Sequence, residues 1–257
     1  MKLNHTTTGP ESGVPIVLVH GLFGQGRNLG VIARRLGRTR RVVTVDLRNH
    51  GDSPHDPDHS YAAMAGDLAQ LIADLGGPVD LAGHSMGGKA AMVLALTQPG
   101  LLRKLAVMDI APVAYDHDQT HLIDAMQAVE LDGLDRRSEA DRRLAQNLNA
   151  PALRAFLLQQ LDLKSDPAHW RLNLPVLRDW MDRTTGWPDD LPKATLKGPA
   201  LFMAGAESDY VDSAGEDAIR DYFPQAKLVR VKNAGHWMHA DAPEAVADTL
   251  AVFLGDG

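Results

Sequence analysis

Short, nearly unbroken apolar runs punctuate this chain: IVLVH (Ile16 to His20), VVTVDL (Val42 to Leu47), VDLAG (Val79 to Gly83), LAVMDI (Leu105 to Ile110), ALFMAG (Ala200 to Gly205) and KLVRV (Lys227 to Val231). Runs of this length with little polar alternation predict strands covered on both faces. Between them, apolar residues recur at helical spacing over about 27–36, 61–75, 86–97, 213–222 and 243–254. Strands alternating with helices imply parallel βαβ units, and so a doubly wound, mostly parallel α/β sheet. Met1–Thr8 carries a faint edge-strand signal.

The alternation stops between Ala111 and about Pro192. That span holds several helical patterns, no convincing strand and three of the four tryptophans, Trp170, Trp180 and Trp187. Proline punctuates both ends, at Ala111-Pro112 and in WPDDLP. A simple crossover needs only ~10–15 residues, far fewer than the ~80 present. The span therefore predicts a helical cap over 112–190, inserted into a core made of 1–111 and 191–257.

Composition narrows the class. A length of 257 residues with 44% hydrophobic and 23% charged content fits one large globular domain with an insertion. A net charge of −7 and the lack of any basic run argue against nucleic acid as a partner. With no cysteine, disulfides, thiolate catalysis and zinc–thiolate sites are excluded. The N-terminal MKLNHTTTGPESG does not read as a secretory signal, and no apolar run approaches the ~20 residues of a membrane span. The expectation is a cytoplasmic protein without a membrane span; oligomeric state is left open.

The chemistry concentrates at GHSMG, Gly83 to Gly87, where a strand pattern meets a helix pattern. Ser85 there sits at a sharp corner, which is the context that gives a G-x-S-x-G sequence meaning as a nucleophile elbow. The bland alternative is a serine that merely caps the helix. A serine nucleophile needs a base and oxyanion donors. NAGHW, Asn233 to Trp237, places His236 in a loop after the last strand, at the sheet end where α/β proteins carry their chemistry. VLVHGLFG, Val17 to Gly24, brings the Leu22 N–H to the same end, and the Met86 N–H follows the serine directly. Of the other histidines, His20 is expected to brace its loop and His84 to face away. His239 is expected to lie toward the next helix, and His5, His50, His55, His59, His117, His121 and His169 to be solvated.

Two aspartates compete to orient His236. Asp209, in AGAESDY, follows the strand just before the one that delivers His236; Asp109, in VMDI, ends the strand after the serine's; Glu207 is a third option. Adjacent strand-end loops favour Asp209 as the main acid, with Asp109 in support. Phe23, Trp187 and Trp237 are the candidate walls of an acyl pocket.

These motifs resemble a known family. V-H-G-L-F-G, D-L-R-N-H-G-D-S-P, G-H-S-M-G-G-K-A, M-D-I-A-P and N-A-G-H-W-M-H-A are similar to strings of the YbfF-type bacterial esterases of the α/β-hydrolase superfamily, over about Ile16 to Phe253. The resemblance implies the α/β-hydrolase fold and a serine esterase or thioesterase for small acyl substrates, with Ser85 as nucleophile and His236 as base. It makes both Asp109 and Asp209 candidates for the catalytic network. Metal and cofactor sites find no support in the residues: the histidine and acid spacing of DSPHDPDH could suggest ligands, but it reads as a solvated loop after the N-H-G-D-S turn. A cofactor-free haloperoxidase-like enzyme or a C–C bond hydrolase would share the same serine machinery. A non-enzymatic binding protein of this fold would be expected to have lost part of it. GQGRNLG is one residue too long for a dinucleotide fingerprint.

Overall fold

The computed structural model describes residues 1–192 and 194–255. In chain order, the first half contains β1 (His5–Thr8), β2 (Ile16–Val19), α1 (Gly30–Leu36), β3 (Val42–Val45), α2 (Tyr61–Asp74), β4 (Val79–His84), α3 (Met86–Thr97) and β5 (Leu102–Met108). Then come α4 (Thr120–Gln127), α5 (Arg137–Leu144), α6 (Pro151–Leu157), β6 (Leu161–Asp162), β7 (His169–Trp170), α7 (Leu174–Asp179) and α8 (Met181–Thr185). The chain closes with β8 (Ala200–Gly205), α9 (Ser213–Tyr222), β9 (Lys227–Val231), α10 (Met238–Asp241) and α11 (Pro243–Leu254).

Seven strands form one sheet in the order β1-β3-β2-β4-β5-β8-β9. Every neighbouring pair is parallel except β1 with β3, which run antiparallel. This is the α/β-hydrolase architecture, with the faint N-terminal signal resolved as an edge strand. The apolar strands are apolar because both faces are covered. Val17, Val19, Val43, Leu81, Val107 and Phe202 pack toward α2, α3 and α9. Their alternates Ile16, Leu18, Ala82, Ala106, Met108 and Met203 pack toward α1 and α11. Side-chain caps start two of the helices: Ser60 Oγ accepts from Ala63 N–H at 3.1 Å and Asp212 Oδ1 from Gly215 N–H at 2.8 Å.

The helices α4 to α8 lie between β5 and β8 and build an apolar cluster of their own around Ile123, Met126, Leu144, Leu157 and Leu177, joined by Phe23 from the loop after β2. β6 and β7 pair as a two-residue antiparallel ladder, Leu161↔Trp170 and Asp162↔His169. Strands this short leave no period in the sequence, which is why the pattern shows only helices there. The end of this insertion is bound to the sheet domain. Lys89 Nζ, on α3, donates to Thr185 O at 2.6 Å and Gly186 O at 2.5 Å, and Tyr61 Oη donates to Thr184 O at 2.5 Å. Among the described residues, no helix is long and apolar enough to cross a membrane.

Candidate active site

The site is built at the carboxyl ends of β2, β4, β5 and β9. β4 stops at His84 and α3 begins at Met86, so Ser85 makes the whole turn alone, at φ 51° and ψ −121°. That conformation costs a non-glycine residue about 1–3 kcal/mol, and the surroundings must enforce it. They do so through glycines. A Cβ on Gly83 would lie 2.3 Å from Gly87 O, and one on Gly87 would lie 2.3 Å from His20 O. Only bare backbone permits the close approach that lifts Ser85 out of the sheet.

His236, in the loop after β9, meets Ser85 on one side and an aspartate on the other. Its Nε2 is 3.0 Å from Ser85 Oγ, and its Nδ1 is 2.8 Å from Asp109 Oδ2. The carboxylate can only accept, so Nδ1 carries the proton and Nε2 presents its lone pair to the serine hydroxyl. Asp109 is fully buried. Its Oδ1 accepts from Gly205 N–H at 2.7 Å, and its Oδ2 also accepts from Ser208 Oγ at 2.5 Å. The ring of Tyr210 stacks on His236 with centroids 3.7 Å apart and planes 15° from parallel, closing its other face.

The expectation for Asp209 is corrected here: the carboxylate that reaches His236 is that of Asp109. In the Ser208-Asp209-Tyr210 segment the outer two residues turn inward, onto Asp109 and His236, and Asp209 between them faces solvent. Asp109 takes φ 52° just past β5, which swings its carboxylate over the end of β8 toward His236. Ser208 was missed in the sequence, because a serine in a strand-end loop carries no signal until its partner is known.

Leu22 and Met86 both line the cleft in front of Ser85. Met86 is the first residue of α3, so its N–H has no helical carbonyl four residues back. The amides after Leu22 are occupied, Phe23 N–H by His50 Nε2 at 3.2 Å and Gly24 N–H by Gly21 O at 3.0 Å.

Of the pocket candidates, Phe23 and Trp237 line the cleft, but Trp187 does not. Its ring lies edge-on to Tyr222 of α9 at 5.7 Å, packed against the sheet domain behind the site. The insertion instead contributes Leu122, Leu153 and Phe156, and Phe156 sits 5.9 Å from the Trp237 ring at the mouth. Helical spacing alone does not reveal which apolar residues of α4 and α6 face the cleft rather than their own cluster.

Comparison with known proteins bears on the same architecture. The sequence profile of the alpha/beta hydrolase family matches residues 16–249. The chain belongs to this family. This hydrolase is 43% identical over 265 residues to the sn-1-specific diacylglycerol lipase ABHD11 of Mus musculus, across 99% of this chain and 85% of that one. It is 40% identical over 263 residues to Esterase YbfF of Escherichia coli K12, across 100% of both chains. A solved structure described as a marine microorganism esterase matches at TM-score 0.93 and 34% identity, over 98% of this chain and 99% of that one. By homology, the protein is a hydrolase of the esterase and lipase kind.

Several histidines of this α/β hydrolase are not where the pattern suggested. His50 and His59 are buried rather than solvated, and His117 lines the cleft. His84 does not face away from the site: its Nε2 lies 2.8 Å from the carbonyl of His236 and so donates to it. His239 is also in the cleft wall, with its ring 4.6 Å from that of His84. Burial, with Arg48 as the next cause, pushes His59 down to about 3; burial and the neighbouring His236 push His239 down to about 4. Burial also brings Lys89 down to about 7.

These lowered values give a stability prediction with a definite sign. The fold holds His59 and His239 neutral, whereas the unfolded chain takes up their protons near 6.5. Their contribution is complete above about pH 6.5 and is lost as the pH falls toward their folded values. At pH 5 the loss is about 2 kcal/mol for each. Thermal denaturation followed by circular dichroism should show Tm falling by about 10 °C between pH 7.5 and 5. A Tm that stays level over that range would contradict the burial of neutral histidines.

Proposed function

We propose that this hydrolase is a serine esterase that cleaves oxygen esters of small to medium acyl chains through an acyl-enzyme on Ser85. Ser85 Oγ attacks the acyl carbonyl as His236 Nε2 takes its proton. Asp109, holding His236 Nδ1–H, fixes the tautomer and balances the imidazolium that forms. The N–H groups of Leu22 and Met86 receive the developing oxyanion. His236 returns the proton to the departing alkoxide, and a water activated by the same base then releases the acid. The observation that carries this reading is the continuous hydrogen-bonded line from Ser85 through His236 to Asp109, at 3.0 and 2.8 Å.

The relatives named esterase and diacylglycerol lipase support ester chemistry. Among the described residues lining the cleft there is one lysine and no arginine, and that lysine is buried under the insertion. The described residues lining the cleft thus offer no exposed cation for the phosphates of a coenzyme A thioester, which favours the oxygen ester. The test is labelling with a fluorophosphonate, with the adduct located by mass spectrometry. An adduct on Ser85 is the expected outcome; no adduct, or one elsewhere, would remove the basis for the reading. Hydrolysis of p-nitrophenyl esters beside the matching acyl-CoA thioesters then decides the leaving group.

Acyl-chain preference follows from the cleft wall. Each methylene taken out of water contributes ~0.8 kcal/mol. Phe156→Ala is therefore expected to lower kcat/KM for octanoyl esters about 15-fold relative to acetyl esters, since two such contacts amount to about 1.6 kcal/mol. Trp187→Ala, behind the site, is expected to leave that ratio unchanged. A chain-length series on both variants measures it, and a selective loss in Trp187→Ala would relocate the pocket.

A further inference from the structure

The turn that carries the Leu22 amide is held from two sides, and one of those sides is the insertion. Gly24 N–H donates to Gly21 O at 3.0 Å and closes a four-residue turn. Phe23, its third residue, adopts φ 60°, a position that favours glycine. Gly21 O also receives His20 Nδ1–H at 2.7 Å. The His20 tautomer is fixed, because Nε2 accepts from Leu47 N–H at 3.0 Å. In a planar trans peptide the carbonyl and the next N–H point in opposite directions. Gripping Gly21 O on the sheet side therefore turns Leu22 N–H toward the cleft.

The rest of the turn is gripped by the insertion. Gln160, just before β6, is completely buried, and its Nε2 donates to Phe23 O at 2.9 Å and to Gly24 O at 2.6 Å. The amide orientation is set by chemistry, since its oxygen would meet two carbonyl oxygens in the flipped form. The preceding residue is anchored to the same loop. Gln159 O accepts from Gln25 Nε2 at 3.3 Å and from the Arg27 guanidinium, and Gln159 Oε1 accepts from Asn28 Nδ2 at 2.8 Å.

We propose that Gln160 is a positioning residue for the reaction: by clamping the Phe23 and Gly24 carbonyls it aims the Leu22 amide at the oxyanion, so that a side chain of the insertion completes a site built on the sheet. The proposal rests on the reading of Leu22 as an oxyanion donor. It makes turnover, and not only substrate choice, depend on how the insertion is seated. Residues that merely shape the acyl pocket act on chain length. Gln160 does not itself line the cleft and acts through Phe23 and Gly24 on the donor.

The test uses the full chain with a short ester, a trifluoromethyl ketone inhibitor that forms a tetrahedral oxyanion on the serine, and Tm as a folding control. Removing an oxyanion donor outright costs about 10²–10³ in kcat, and an amide that has lost its brace should forfeit part of that. Gln160→Met, close in volume and without a donor, is expected to lower kcat about 10–30-fold on every acyl chain, with KM within about 2-fold. The inhibitor's Ki should rise by the same factor while the pH midpoint of kcat stays in place. A folded Gln160→Met with kcat within 2-fold of the parent overturns the proposal. So does a loss of kcat with no change in Ki, or a loss that appears only with long chains. Should that variant fail to fold, Arg27→Ala, which alters an exposed residue anchoring Gln159, carries the test. It should show the same paired change in kcat and Ki at about 3-fold, and no change in either overturns the proposal. An active Ser85→Ala would instead mark failure of the underlying esterase reading. An inactive Ser85→Ala beside an unaffected Gln160→Met would mark failure of this inference alone.

Discussion

Ser85→Ala is expected to lower kcat by about 10⁶-fold on any ester the protein turns over, and to leave the fold intact. The size follows from what remains. Without the hydroxyl, no acyl-enzyme forms and His236 has no proton to take. The oxyanion donors and the cleft still bind the substrate, which leaves a residual ~10³–10⁴ over water. The fold should survive because Ser85 Oγ makes one side-chain contact, with His236 Nε2, while the turn is held by Ser85 N–H on Met108 O at 3.0 Å and by the bare backbone of Gly83 and Gly87. Steady-state turnover of a p-nitrophenyl ester and Tm on the same preparation measure both halves. Turnover within 10-fold of the parent in a folded variant would mean that the nucleophile lies elsewhere.

The second large effect separates the two aspartates. Asp109→Asn should lower kcat by about 10⁴-fold, because the base then loses the group that fixes its tautomer. The local hydrogen bonds make that loss hard to avoid. Oδ1 faces Gly205 N–H, and Oδ2 faces both His236 Nδ1 and Ser208 Oγ. An asparagine must aim its NH₂ at one side or the other. On the Gly205 side it meets another donor; on the His236 side it reverses the imidazole, so that Nε2–H points at the serine. Asp209→Asn, in solvent, is expected to stay within about 2-fold of the parent, as surface substitutions usually do. The measurement is kcat for each single variant and the double. Greater damage from Asp209→Asn would invert the assignment, and mild singles with an inactive double would mean that the two acids substitute for each other.

What could be read from the chain divides along a physical line. Ser85 and its glycines were legible because the elbow demands those residue types at fixed local spacing. The strands were legible because burial on both faces removes polar residues from them. The sequence ranks Asp209 above Asp109 on loop adjacency, whereas which carboxylate reaches His236 turns on one backbone angle at Asp109 and on which way a three-residue loop rotates. Aspartate is enriched at positive φ, but its presence alone does not mark which aspartate adopts it. The same holds for His50 and His59, which are buried because the fold brings them partners: Phe23 N–H donates to His50 Nε2, and Asn49 Nδ2 lies 3.2 Å from His59 Nδ1. Trp187 looked like a pocket residue by size and position, yet α9 takes it. The side chains that do face the cleft from α4 and α6 are ordinary leucines and a phenylalanine, which any helix interior also uses.

The bonds from Lys89 to Thr185 O and Gly186 O have a wider consequence when set beside the clamp at Gln160. The insertion is fastened to the sheet domain near its exit and again in its middle, contacts that a hinged flap would have to break to open. At the rim of the cleft Phe156 packs on Trp237, which is 38% exposed. A cleft fastened in this way is expected to take its substrate one dissolved molecule at a time. On the proposed esterase reading, its rate is expected to track the concentration of free monomer and to level off when the ester begins to form micelles; a rise in rate at that point, as at an oil–water boundary, would contradict it.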